Sequence, residues 1–204
     1  GRRHSPALKS FNTVHLQFFH GGILVNMDDK VDLDHMGAVN ALPPAPVVLL
    51  GVGDKEGKQK NIITVGMFNV FSIRPPIIGI AVTTSRHSYK FLEESDEFTI
   101  NIPGKELLEQ VVVCGEKSGA DVDKFKLTGL TAVKGKRTKA PRIAECLINI
   151  ELKKTQSFEV GDHTWYLGEI KHTDIVSNYD RSQALLYWDG EFWTAEKEPI
   201  RSLR

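Results

Sequence analysis

Asn61-Ile62-Ile63-Thr64-Val65-Gly66-Met67-Phe68-Asn69-Val70-Phe71-Ser72-Ile73-Arg74-Pro75-Pro76, followed nine residues later by Ser85-Arg86-His87-Ser88-Tyr89, is the stretch that decides how this chain reads. Small and polar residues (Thr64, Gly66, Asn69, Ser72) interrupt bulky apolar ones, so one face of a strand can offer amides and hydroxyls while Met67 and Phe68 supply a flat apolar surface. That mixture suits an aromatic cofactor with polar edges and apolar faces, although an ordinary barrel strand would carry it too. The second segment adds two hydroxyls and a guanidinium at the start of a helix, the donors a phosphate monoester needs. A plain N-cap by Ser85 or Ser88 accounts for the serines and leaves Arg86 unexplained.

Around this stretch the pattern is mainly β. Val47 to Val52 is an apolar run, Asp54-Lys55-Glu56-Gly57 reads as a turn, and Lys58 to Ile73 reads as the returning antiparallel strand, ended by Pro75-Pro76, which cannot donate to a ladder. Ile77 to Thr83 and Phe98 to Ile102 are short buried strands, with a helix expected to begin just after Ser88. A second helix is expected after Pro103, on the stripe Leu107, Leu108, Val111, Val112, and a third around Val122 to Leu127, closed by Gly129. Cys146 to Thr155 alternates as a strand, Gly161-Asp162 turns it back into His163 to Val176, and Asp189-Gly190 signals a type I′ hairpin between Leu185–Trp188 and Phe192-Trp193. The expected fold is a β-barrel with short helices in one domain over residues 41–204. Residues 1–40 are either a leader ahead of a natural start at Met27 or Met36, or an arm that packs on a partner subunit.

Composition narrows the function. Lys plus Arg and Asp plus Glu balance at 26 each, so nucleic acid and anionic membranes are not expected partners, and an anion site must be a local cluster. Two cysteines without CxxC spacing argue against a disulfide framework or a zinc site, and fit a reducing cytoplasm. No apolar run approaches the roughly 18 residues of a bilayer span, and His15, Gln17, His20 and Gly21-Gly22 break the one stretch that follows Arg2-Arg3 as an export signal would. GxGxxG after a strand, GxxxxGK[ST] and HExxH are all missing, which removes Rossmann, P-loop and zincin readings. His163 and His172, nine apart on one hairpin arm, fall on opposite faces. Cys114 beside Gly115 reads as a buried hydrophobe or, failing that, a redox thiol. Lys124 sits in the first turn of a helix, where the dipole disfavours it unless an anion is near.

The order of Thr64, Phe68, Ser72, Pro75-Pro76, then Ser85-Arg86-His87-Ser88, then Phe98-Thr99-Ile100-Asn101-Ile102 resembles the flavin reductase-like proteins of the FMN-binding split-barrel fold. The flavoredoxin and archaeal ferric reductase branch is the most similar, by Cys114-Gly115, Ser118-Gly119 and Asp121 to Phe125; His163 to Ile170 is similar to that family's late strand. The resemblance covers residues 46 to 190. It implies FMN held by Thr64, Val65, Gly66, Met67 and Asn69 around the ring and ribityl, and by Ser85, Arg86, Ser88 and Lys124 at the phosphate. Asn69 departs from the Ser or Thr of many relatives. It further implies an NAD(P)H-dependent oxidoreductase with no required protein acid or base, and a homodimer with Tyr187, Trp188, Phe192 and Trp193 near a neighbour's site, if these do not simply close the barrel. The acceptor stays open among flavin, a ferric complex and a partner protein, and so do an FMN electron carrier without NAD(P)H activity and a non-catalytic ligand-binding barrel.

Overall fold

The Asn61 to Ile73 segment is not one strand but two, and they lie on opposite edges of the same sheet. The computed structural model describes Phe18–Phe19, Gly22–Ile23 and residues 30–202. By contact the chain divides between Ala41 and Leu42. In the first unit Phe18–Phe19 (β1) pairs with Gly22–Ile23 (β2), and His35–Asn40 forms a helix (α1) whose N-cap, Asp34, accepts from the Gly37 N–H at 2.6 Å. The expected leader or arm, including the stretch that follows Arg2-Arg3, falls mostly outside the described residues.

The second unit runs Ala45–Pro46 (β3), Val48–Gly53 (β4), Lys60–Val65 (β5), Phe68–Ile73 (β6), Pro76–Thr83 (β7), His87–Glu94 (α2), Glu97–Ile102 (β8), Leu108–Glu116 (α3), Lys124–Thr128 (α4), Ala132–Val133 (β9), Arg142–Ile143 (β10), Ile148–Val160 (β11), His163–Ile175 (β12), Leu185–Trp188 (β13) and Glu191–Thr194 (β14). Seven of these strands make one antiparallel sheet in the order β5-β4-β8-β11-β12-β7-β6. Its two edge strands, β5 and β6, are consecutive in the chain and joined only by Gly66 and Met67. Three Cα steps reach about 11 Å at most, so the sheet must curl until its edges meet there. The Ala81 N–H bonds the Met67 carbonyl at 3.0 Å and fixes that meeting. The chain is thus a mostly β barrel split along one seam.

Burial explains the strand patterns. Val48, Leu50 and Val52 face the barrel interior with Ile63, Ile80, Phe98, Ile100, Leu152 and Tyr166, and α2 adds Phe91 and Leu92 to that cluster. Val47 and Leu49 point the other way, into a second cluster with Ile62, Val111, Cys114, Ile143 and Leu185. Being covered on both faces, β4 reads as a continuous apolar run rather than an alternation. Each large side chain so buried contributes about 1.5–3 kcal/mol.

Several expectations shift by a few residues. Cys146 precedes the alternating strand instead of opening it, because β11 starts at Ile148; the Cys146 N–H closes a turn on the Ile143 carbonyl at 3.2 Å. The last hairpin turns on Asp189 (φ 47°) and Gly190 (φ 86°), the positive pair of a type I′ turn. Gly129, at φ 71°, closes α4 in the left-handed conformation.

The loop between β9 and β10 is held to the barrel by Glu151, which is wholly buried. Its carboxylate accepts from the N–H groups of Lys136, Arg137 and Thr138, each at 2.7 Å, and pairs with Arg142 at 3.5 Å. Burial alone would push its pKa up, but these hydrogen bonds outweigh it and hold the carboxyl below its ordinary value. Glu151→Ala leaves three loop N–H groups without their acceptor and takes from Arg142 one of its two carboxylates, Asp174 remaining, so urea unfolding should show a loss of about 1–3 kcal/mol. A loss under about 0.5 kcal/mol, typical of a surface change, would contradict this role.

Candidate functional site

The seam leaves a cleft between the edge strand β5 and strand β7, the neighbour of the other edge. One wall is Thr64, Val65, Gly66 and Met67, the end of β5 and the link to β6; the other is Ala81, Val82 and Thr83 of β7. Tyr187 and Trp188 of β13 and His163 of β12 complete a cavity of about 270 Å³, and Arg86 stands at its end. The hydroxyl of Thr64 is turned away, donating to the Val111 carbonyl at 2.5 Å, so this strand offers a ligand its backbone. Gly66 leaves room beside Tyr187, whose ring carbon lies 4.0 Å from where a Cβ would be.

Arg86 and Ile63 also line a second, smaller cavity of about 70 Å³, together with Ser85, Ser88, Asn61, Gly119 and Lys124 among others. Helix α2 starts two residues earlier than expected, with Arg86 as N-cap and no side-chain cap hydrogen bond. Neither serine is therefore a cap: Ser85 meets the Thr83 hydroxyl at 3.0 Å, and buried Ser88 receives the Asn61 amide at 2.8 Å. The first amides of α2, at His87 and Ser88, have no intrahelical carbonyl to bond and carry the positive end of the helix dipole. Among the described residues the Arg86 guanidinium makes one hydrogen bond, a long one of 3.4 Å to the Gly115 carbonyl.

Lys124 is the first residue of α4 and is 3% exposed. Its ammonium donates to the Cys114 carbonyl at 2.7 Å. Burial brings its pKa down to about 8, with Arg86 adding repulsion and Cys114 opposing it. His87 is also held below its ordinary value, by burial first and then by Lys90 and Lys124. Two cations and free helix amides converge on one small cavity, and an anion is what relieves their mutual repulsion. A phosphate fits this donor set, and an aromatic ring fits the cleft beside it.

Of the residues singled out in the sequence, Thr64, Val65, Gly66 and Met67 come together in the cleft, and Ser85, Arg86, Ser88 and Lys124 in the anion cavity. Asn69 is not brought to either: it lies on β6, its side chain accepting from the Val70 N–H at 2.8 Å. Cys114 is fully buried and its thiol is pushed up to about 11 by that burial, against the pull of Lys124, which leaves it as packing rather than a nucleophile. The sequence did not point to Thr83, His163 or Asn61. His163 is held by Asp162, whose carboxylate meets Nδ1 at 2.7 Å; the Gly161-Asp162 turn that places it was visible, but its distance from the cleft in sequence hid the role. Among the described residues no cluster of metal-ligating side chains occurs, and no helix is long and apolar enough to cross a membrane.

Residues 41–196 match the family model described as flavin reductase like domain. An uncharacterised protein of Archaeoglobus fulgidus is 36% identical over 115 residues, which are 56% of this chain and 65% of the relative, so the chain spans just under two thirds of that relative's length. The flavoredoxin of Methanosarcina acetivorans superposes with a TM-score of 0.76 at 25% identity, covering 86% of this chain and 96% of that one. An FMN-binding protein of Thermus thermophilus, solved with 1-cyclohex-2-enone, superposes at 0.74 with 18% identity over 88% and 100% of the two chains, a likeness of fold.

The anion cavity makes a testable claim about Lys124. A lysine-selective carbon-13 titration should reveal one side chain with a midpoint at about 8, absent from Lys124→Met. A phosphate monoester added to the protein should move that midpoint upward, because the dianion favours the charged amine. A midpoint at the ordinary lysine value would show that burial does not act on this amine.

Proposed function

We propose that this chain, which belongs to the flavin reductase like domain family, binds FMN along the seam of its barrel and works as an oxidoreductase that takes a hydride from NAD(P)H and passes electrons to an acceptor. The observation that carries this reading is that Arg86 lines both cavities: a cleft bordered by strand backbone lies beside a cluster of cations and free helix amides. Ser85, Arg86, Ser88 and Lys124 would hold the phosphate, and the backbone of Thr64 to Met67 would border the ring. When bound, FMN supplies the redox chemistry, accepting a hydride and giving up electrons singly or in pairs.

The chain's own part is binding, orientation and electrostatics. Backbone amides at the end of β5 would stabilise negative charge that develops at the ring edge, without reorganising as it appears. Tyr187 and Trp188 border the cleft and exclude water from that side. His163, oriented by Asp162, stands on the cleft wall where a second substrate would enter.

A second copy of the chain is part of this reading. Strand β6 is a sheet edge and leaves Val70, Phe71 and Ile73 exposed, Ile73 at 75%, a set of apolar groups that a homodimer would cover. Light scattering should give twice the 22.8 kDa chain mass, and Ile73→Asp should shift it toward the monomer. A monomer in the unmodified protein would remove the dimer from the reading. Two buried free cysteines suit a reducing cytoplasm.

Purified protein should be yellow or become so on adding FMN, and Arg86→Ala should weaken FMN binding by about 1.5–3 kcal/mol while leaving riboflavin binding unchanged. Protein that takes up neither flavin contradicts the proposal. Stopped-flow mixing of the FMN complex with NADH and NADPH should bleach the flavin band rapidly; a band that persists leaves an electron carrier, reduced by another protein.

A further inference from the structure

The anion cavity contains a hydrogen-bond arrangement that joins Ser88 to a second lining residue, Asn61. Ser88 lies in the first turn of α2, is 1% exposed and lines the cavity. A serine hydroxyl has one proton to give and two lone pairs to accept with. The Nδ2 amide of Asn61, itself 5% exposed on β5, donates to the Ser88 oxygen at 2.8 Å. With an amine-type donor on that side, the Ser88 proton cannot point toward Asn61, and no described residue offers it an acceptor. A buried hydroxyl proton without a protein acceptor costs stability unless something in the cavity accepts it.

Asn61 is in turn held from behind. A Cβ on Gly119 would fall 2.2 Å from the Asn61 Oδ1 and 2.8 Å from its Nδ2, so the amide rests directly against the glycine backbone. Gly119 thus leaves Asn61 the space from which its amide reaches Ser88. Strand β5, the turn carrying Gly119 and helix α2 meet at this one hydrogen bond.

We propose that Asn61 is a positioning residue that sets the polarity of Ser88, turning its hydroxyl proton into the anion cavity so that Ser88 acts as a fixed donor to a phosphate monoester. The inference rests on the reading of this cavity as the FMN phosphate site and adds Asn61, which lines the same cavity and acts there through the Ser88 hydroxyl. A donor aimed in advance binds an anion better than a hydroxyl free to turn its lone pairs toward it, because no reorientation has to be made on binding. The role is specific to the phosphate and has nothing to do with the ring.

FMN and riboflavin affinities, measured by quenching of flavin fluorescence on the full chain, separate the possibilities. Asn61→Ala should weaken FMN roughly fivefold to tenfold and leave riboflavin unchanged, and it should have no further effect in a Ser88→Ala background. Asn61→Asp, the same size but only an acceptor, should be worse for FMN than Asn61→Ala. Gly119→Ala, which displaces the Asn61 amide without touching Ser88, should reproduce the FMN-specific loss in the unmodified protein and lose nothing more once Asn61 is alanine. Losses that fall equally on riboflavin, that add to those of Ser88→Ala, or that are absent in both Asn61→Ala and Gly119→Ala overturn the inference while FMN preference in the unmodified protein keeps the phosphate reading. An unmodified protein that binds FMN no better than riboflavin overturns the phosphate reading, and this inference with it.

Discussion

The link of Gly66 and Met67 between two edge strands is the constraint on which the rest of the structure depends. Strands consecutive in the chain are usually neighbours in a sheet, but here they sit at opposite ends of a seven-stranded order. With so short a connection the sheet has no choice but to close on itself, and the closure is incomplete where the link crosses. Hydrogen bonding there is limited to contacts such as Ala81 to Met67. Backbone groups at an ordinary interior strand would be consumed by the ladder; at the seam they are available. The cleft is therefore a consequence of how the barrel closes and not a hollow carved out of a finished core.

The anion cavity follows from the same closure. Strand β7 forms the far wall of the seam and runs directly into α2, so the positive end of that helix is delivered to the end of the cleft. Arg86 serves both cavities because it is the residue at which strand gives way to helix. Lys124 arrives independently, from α4, and its burial with one carbonyl partner is costly for a charged amine. Repulsion among Arg86, Lys124 and the helix dipole, unfavourable for the empty fold, becomes binding free energy for an anion.

Much of this was legible in the chain. The apolar runs, the Gly129 and Asp189-Gly190 turns, and the Ser85 to Ser88 cluster follow from local chemistry, and they landed within a residue or two of expectation. What the sequence could not show is the break at Gly66: an isolated glycine inside a strand pattern signals either a bulge or a close approach, and only the pairing of β5 with β4 and of β6 with β7 reveals that the chain changes edges. Asn69 lies past that break, on β6, and lines neither cavity. Asn61 and His163 were invisible as site residues because their roles depend on contacts across 27 positions to Ser88 and across the sheet to Arg86's cleft. The serines were ambiguous until the start of α2 at His87 excluded both as caps.

The most direct measurement is a crystal structure of the protein grown with FMN. The account predicts the ring in the seam between Thr64–Met67 and Ala81–Thr83, with the phosphate within hydrogen-bond distance of Ser85, Arg86 and Ser88. A ring bound outside the seam, or a phosphate held instead among Lys58 and Lys60 on the neighbouring surface groove, would contradict it.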